Sequence, residues 1–371
     1  MNKIPLIKPY VTDEVKARVC EVLDSGYLTE GPVTHELEAQ FKSFTGAAHA
    51  IAVTSCTTGL EIALRALGVG KGDEVIVPDY TYPATADVVE IVGAKIVIVD
   101  VSPETMLIDY DALEKAITKK TKAVIPVSLF GNPLDYDWLN KIKRRYKVAV
   151  LEDAACAIGA EYNGRKVGNL SDITVFSLHP RKFITTGEGG IIITNNARRA
   201  AWMNSYKHFG MGKATAREAV RFERVGTNYK LSNIQSAVGV VQMRHVNELL
   251  SRRRQLAKQY DDLLSRVQGV RLPAVTKGGV HSYQSYCIFI EPRDRVMNTL
   301  REGGIEVQIG TYALHRHKAF KANKNCRIVG KMKGSRYAFD HCLALPLFHD
   351  LTHDDQRVVV DELARVLSQE G

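Results

Sequence analysis

The sequence has no apolar run of the roughly 18 residues that a membrane-spanning helix requires. Its opening, MNKIPLIKPY, holds one short apolar patch and no small-residue cleavage site, so no signal peptide is expected. The six cysteines (Cys20, Cys56, Cys156, Cys287, Cys326 and Cys342) form no C-x-x-C pair. Their spacing supports neither a zinc cluster nor a disulfide framework, and no metal site is expected. In a reducing compartment they are free thiols. Internal repeats and low-complexity tracts are also absent. These absences lead to the expectation of a cytoplasmic protein without membrane contact. Acidic residues are the minority charge: 41 Asp and Glu stand against 50 Lys and Arg, a net charge of +9. Such an excess favours anionic partners, either nucleic acid or a phosphorylated small molecule. No helix-turn-helix signature and no interleaving of basic and aromatic residues supports nucleic acid. The densest basic stretch, Arg316–Lys333, reads either as a solvated face or as a path for an anionic ligand.

What is present begins with size. The chain has 371 residues, enough for about two domains. Seven short runs rich in Val, Ile and Ala read as strands: 48–53, 74–77, 95–99, 123–127, 147–151, 172–176 and 190–194. Most are continuous and not alternating, as expected of strands buried on both faces. Helical segments such as Thr58–Leu67 and Tyr110–Thr118 fall between several of them. The fold class is therefore α/β, with a mostly parallel, mixed, seven-stranded sheet sandwiched by helices. Ser232 to about Ser265 reads as one long charged helix. Strands at Ser285–Ile290 and Glu306–Ile309 and helices at Arg293–Glu302 and Asp354–Ser368 suggest a smaller C-terminal α+β domain. The expected division is 1–250 and 251–371.

Ligands of such sheets bind beyond the carboxyl ends of the strands. Polar and glycine-rich residues cluster at those ends: Thr54–Gly59, Pro78–Thr85, Glu152-Asp153 and Ser177–Lys182. Lys182 lies in a turn between two apolar runs and precedes Gly187-Glu188-Gly189-Gly190, where backbone can approach a ligand closely. It is either a surface charge or an amine oriented for Schiff-base chemistry. Asp153 either caps a helix or faces a cofactor ring nitrogen. Thr54–Gly59 opens a helix, whose N-terminus offers hydroxyls and amides to an anion. Tyr82 either stacks on a planar ring or packs.

Taken in order, these segments resemble the DegT/StrS family of nucleotide-sugar aminotransferases, within the fold type I pyridoxal-phosphate (PLP) enzymes. The resemblance includes Ser25–Pro32, Gly72–Pro78, Glu152-Asp153-Ala154-Ala155, the Ser177–Gly190 lysine segment and Gly226–Ser232. It implies that Lys182 bonds PLP and shuttles a proton, and that Asp153 pairs with the pyridine nitrogen. It implies phosphate contacts from Thr57, Thr58 and Ser177, and stacking by Tyr82. Cys156 takes a place near the cofactor hydroxyl. Asn228 would reach the cofactor phosphate of a neighbouring subunit, which implies a homodimer with shared sites. The same resemblance implies L-glutamate as amino donor, a nucleotide-linked keto sugar as acceptor, and pyridoxamine phosphate as intermediate. Thr29, His179, Tyr312 and His315 become candidate sugar contacts.

Three positions depart from the family pattern. Cys56 replaces a usual Gly, Cys156 a usual Gln, His or Glu, and Lys230 a usual Arg. Relatives that act as sugar dehydratases carry His in place of the cofactor lysine, and Lys182 argues against that reading. A non-catalytic regulatory protein on the same fold is the other alternative.

Overall fold

Each of the seven apolar runs forms a strand of one sheet in the computed structural model, which describes residues 3–212 and 219–368. They are β1 (His49–Val53), β2 (Glu74–Pro78), β3 (Lys95–Val99), β4 (Thr121–Val124), β5 (Ala149–Asp153), β6 (Ile173–Ser177) and β7 (Gly190–Thr194). In the C-terminal part lie β8 (Tyr286–Phe289), β9 (Gln308–Ile309), β10 (Cys326–Val329) and β11 (Cys342–Leu345). The large sheet has eight strands, not seven, in the order β1-β7-β6-β5-β4-β2-β3-β10. The added edge strand, β10, pairs parallel to β3, with Cys326 opposite Ile96 and Val329 opposite Val99. Only β7 runs antiparallel to its neighbours.

The apolar runs are continuous because helices cover both faces. Ala50, Ile76, Val97, Val124, Val150 and Ile191 join one core cluster, under helices α1 (Asp13–Asp24), α2 (Pro32–Thr45), α5 (Tyr110–Ala116), α6 (Tyr136–Tyr146) and α8 (Asn233–Arg244). Their strand neighbours Ile51, Val75, Ile96, Ala123, Leu151 and Ile192 join a second, under α3 (Cys56–Ala66), α4 (Ala84–Ile91) and α7 (Ala197–Lys207). Successive side chains of a strand point to opposite faces, so both parities must be apolar.

The stretch read as one long helix is two. α8 ends and α9 (Val246–Leu264) begins around His245, whose backbone leaves the helical region at φ −98° and ψ 5°. Leu249 and Leu250 of α9 belong to the first core cluster, whereas Leu256, Tyr260 and Leu264 belong to a third. That third cluster packs the antiparallel sheet β8-β11-β9 against α10 (Arg293–Glu302) and α11 (His353–Ser368). Ile4 joins it from the other end of the chain. Among the described residues, no helix is long and apolar enough to cross a membrane.

Candidate active site

The first turn of α3 is built by its own sequence. Ser55 is extended (φ −164°, ψ 164°), and its hydroxyl accepts from the Thr58 amide at 3.1 Å. The Thr58 hydroxyl in turn accepts from the Ser55 amide at 3.1 Å, completing a capping box. The amides of Cys56 and Thr57 keep no acceptor within the helix, as at any helix start. Gly190, the first residue of β7, lies directly behind this turn: a Cβ there would stand 2.6 Å from the Ser55 carbonyl carbon.

Ser55, Cys56 and Thr57 line a cavity of about 570 Å³ at the carboxyl ends of the parallel strands. Asp153, Cys156, Ser177, His179 and Lys182 line the same cavity, as do Tyr82 and Tyr312. That volume lies within the range of small-molecule sites, about 300–1,000 Å³. The Lys182 amine is 3.0 Å from the Cys156 sulfur. Burial pulls the Lys182 pKa down, but Cys156, Cys56 and Asp153 outweigh it, and the net direction is upward.

Asp153 ends β5 and is 5% exposed. One carboxylate oxygen accepts from the Thr85 hydroxyl at 2.8 Å, the other from the Ala155 amide at 3.1 Å. Burial raises its pKa against the pull of these two donors and of Lys182. Its neighbour Glu152 points to the opposite face, where Ser128, Tyr136, Ser171 and Thr174 donate hydroxyls to it at 2.6, 2.5, 3.2 and 3.1 Å. Burial raises the Glu152 pKa as well. Strand alternation thus separates two adjacent carboxylates into a cavity-lining group and a core group.

At the mouth, the rings of Tyr82 and Tyr312 are 6.1 Å apart. His179 is half-buried; burial lowers its pKa, and Glu188, 3.8 Å from its Nε2, opposes this. Arg181 also lines the cavity, with Gln308 Oε1 at 3.5 Å from its guanidinium.

Four expected contacts lie outside the cavity wall. Thr58 is committed to the capping box, and Ser55 takes its place in the wall. Thr29 is exposed and away from it. Asn228 is exposed, and its side-chain carbonyl accepts from the Lys230 amine. His315 is held by buried Asp79, with Nδ1 to Oδ2 at 2.6 Å and its amide to Oδ1 at 2.7 Å. The basic stretch is a solvated face: Arg316 pairs with Asp340 through two bonds of 2.7 Å, and Arg327 with Glu74 at 3.1 Å. Lys318, Lys321, Lys324, Lys331 and Lys333 are exposed, and none lines the cavity. Thr85 and Arg181 fall within the polar clusters Pro78–Thr85 and Ser177–Lys182 but were not singled out there, and Gln284 and Gln308 carried no signal in the sequence, because position along the chain alone does not say which way a side chain turns.

A model of the DegT/DnrJ/EryC1/StrS aminotransferase family matches residues 9–364. Among solved structures, the aminotransferase TlmJ from Streptoalloteichus hindustanus superposes with a TM-score of 0.93 at 29% identity, over 100% of both chains. Spr1654 from Streptococcus pneumoniae, assigned as a sugar aminotransferase and solved in a PMP form, gives 0.92 at 28%, covering 99% of this chain and 98% of its own. 3-Amino-5-hydroxybenzoic acid synthase gives 0.92 at 26%, covering 99% and 100%.

Proposed function

The chain belongs to the DegT/DnrJ/EryC1/StrS aminotransferase family, and from that premise we propose that it transfers an amino group from L-glutamate to a nucleotide-linked keto sugar. Its cofactor is pyridoxal 5'-phosphate, in keeping with Spr1654, which has been solved in both PLP and PMP forms. The observation that carries the reading is convergence. A buried carboxylate, a lysine amine, a helix N-terminus and a strand-end serine line one cavity.

These residues fit the cofactor's chemistry. PLP supplies an electron sink that stabilises negative charge at the carbon bearing the amine. Asp153, held by Thr85 and the Ala155 amide, is the acid that would keep the ring nitrogen protonated. Ser55, Thr57, Ser177 and the start of α3 would hold the phosphate. Lys182 would bond the cofactor and, when released, carry a proton between the two reacting carbons, a role for which a neutral, desolvated amine is a strong base. Tyr82 would cover the ring, and Cys156 would stand where the lysine meets it. His179 and Tyr312 border the space left for the sugar. Ping-pong kinetics follow from both substrates exchanging one amino group at one site.

The active species is a homodimer in this reading. Tyr27, Leu28, Phe209 and Val225 are apolar or aromatic side chains 53%, 41%, 46% and 94% exposed, as residues awaiting a partner surface would be. They lie on segments joined through the Asn233 amide to Leu28 and the Phe209 amide to Thr227. Asn228 lies on the same segment as Val225 and would serve the partner's site. Feeding of surface polysaccharide or glycoside synthesis in the cytoplasm is the context that suits such a product.

The test is spectroscopic. The purified protein with PLP should show a long-wave absorbance band that L-glutamate bleaches. Lys182→Ala should fold, lose that band and lose turnover. A protein that takes up no PLP would overturn the reading.

A further inference from the structure

Lysine has a long, flexible stem, so its catalytic use depends on how firmly its backbone is held. Here one side chain holds both sides of it. Gln284 is 6% exposed and lines the cavity. Its Nε2 donates to the Arg181 carbonyl at 2.8 Å, and its Oε1 accepts from the Phe183 amide at 3.1 Å. The two bonds straddle Lys182 and use both the donor and the acceptor of the amide group. Rotation of either peptide unit flanking the lysine breaks one of them.

Gln284 is itself fixed. Arg253 of α9 is 3% exposed, and burial alone, with no carboxylate partner among the described residues, pulls its pKa down to about 9. Its Nε donates to the Tyr283 carbonyl and its Nη2 to the Gln284 carbonyl, each at 2.8 Å. A further bond of 3.3 Å runs from Nη2 to the Leu347 carbonyl. The guanidinium also lies 5.4 Å from the centre of the Phe183 ring. Tyr283, between the two groups, has φ +53°, a conformation disfavoured for a bulky side chain that needs such support.

We propose that Gln284, braced by Arg253, is a positioning residue that fixes the Lys182 turn for proton transfer. The proposal rests on the aminotransferase reading, and its test separates the two. Gln284→Met keeps the volume and removes both bonds. Amide exchange in the cofactor-free protein should show at least tenfold loss of protection at Phe183. In the holoenzyme, the glutamate half-reaction should slow about 10- to 100-fold, the cost of a lysine displaced by about 1 Å. The half-saturating glutamate concentration should stay within about twofold. The pH titration of the absorbance band should also shift. Gln284→Glu keeps the acceptor for Phe183 and loses the donor for Arg181, so it should retain Phe183 protection yet slow the half-reaction. It also serves as the test if Gln284→Met does not fold. Parent-like half-reaction rates and titration in both variants would overturn the proposal. If the parent itself took up no PLP, the aminotransferase reading would fail first. The rate of Lys182 acetylation, parent against Gln284→Met, would then decide the positioning claim, an unchanged rate refuting it.

Discussion

Removing one hydroxyl from behind Asp153 tests whether this carboxylate works as assigned. Thr85 is fully buried and donates to Asp153 at 2.8 Å. Because its proton is committed there, the Thr81 hydroxyl 2.9 Å away must donate to it. Thr85→Val keeps the shape and deletes this relay. A hydrogen bond to a charged group contributes about 1.5–3 kcal/mol. At about 1.4 kcal/mol per pH unit, the Asp153 carboxyl, already raised by burial, should rise by about one to two further units. The same free energy, lost from the acid that stabilises a protonated ring nitrogen, should slow the glutamate half-reaction about 10- to 100-fold. Stopped-flow bleaching of the cofactor band measures this directly, and urea unfolding of the cofactor-free protein reads the stability loss. A variant with parent-like bleaching and a displaced urea midpoint would show that Thr85 is structural only, and that Asp153 does not act through its charge.

Glu152→Gln should become progressively more stable relative to the parent as pH rises. The folded-state pKa of Glu152 is raised from 4.5, so its contribution is full below that value and is lost as pH climbs through the raised one. Urea midpoints at pH 5 to 8 check this, and a constant difference refutes it. Gly190→Ala should destabilise by about 1–3 kcal/mol and weaken PLP uptake, because its Cβ would press on the backbone of Ser55 and Cys56. Thermal unfolding and a PLP titration measure the two effects. Arg316→Gln should leave the apparent KM of any nucleotide-linked substrate within about twofold, since that guanidinium is spent on Asp340. A tenfold rise would return the basic stretch to the substrate path.

How far the sequence could be read follows from how strongly each feature is imposed. Strands covered on both faces must be apolar throughout, and β2, β3 and β7 announced themselves for that reason. β10 did not. It is an edge strand whose four residues, Cys-Arg-Ile-Val, are all partly or fully exposed, and it lies among charges. Asp153 was singled out at the end of a buried run, and Lys182 by its turn before Gly187-Glu188-Gly189-Gly190 and by the family resemblance; both line the cavity. The family resemblance implied a phosphate contact for Thr58, while nothing local announced that its hydroxyl closes a capping box, since Ser-x-x-Glu and not Ser-x-x-Thr is the familiar signature. The brace of Gln284 on Lys182 spans about a hundred positions of chain, and nothing local in Ser282–Ser285 marks it. His315 resembled a substrate contact, but its anchor, Asp79, lies more than 200 residues away.

The late arrival of β10 bears on how the chain reaches this state during synthesis. Until residue 329 has left the ribosome, β3 (Lys-Ile-Val-Ile-Val) is an unpaired edge with four fully buried side chains in the finished sheet. An exposed apolar edge of this kind is a template for pairing with another chain. Chains stopped just before Cys326 should therefore aggregate, whereas chains stopped shortly after Leu345 should stay dispersed for longer.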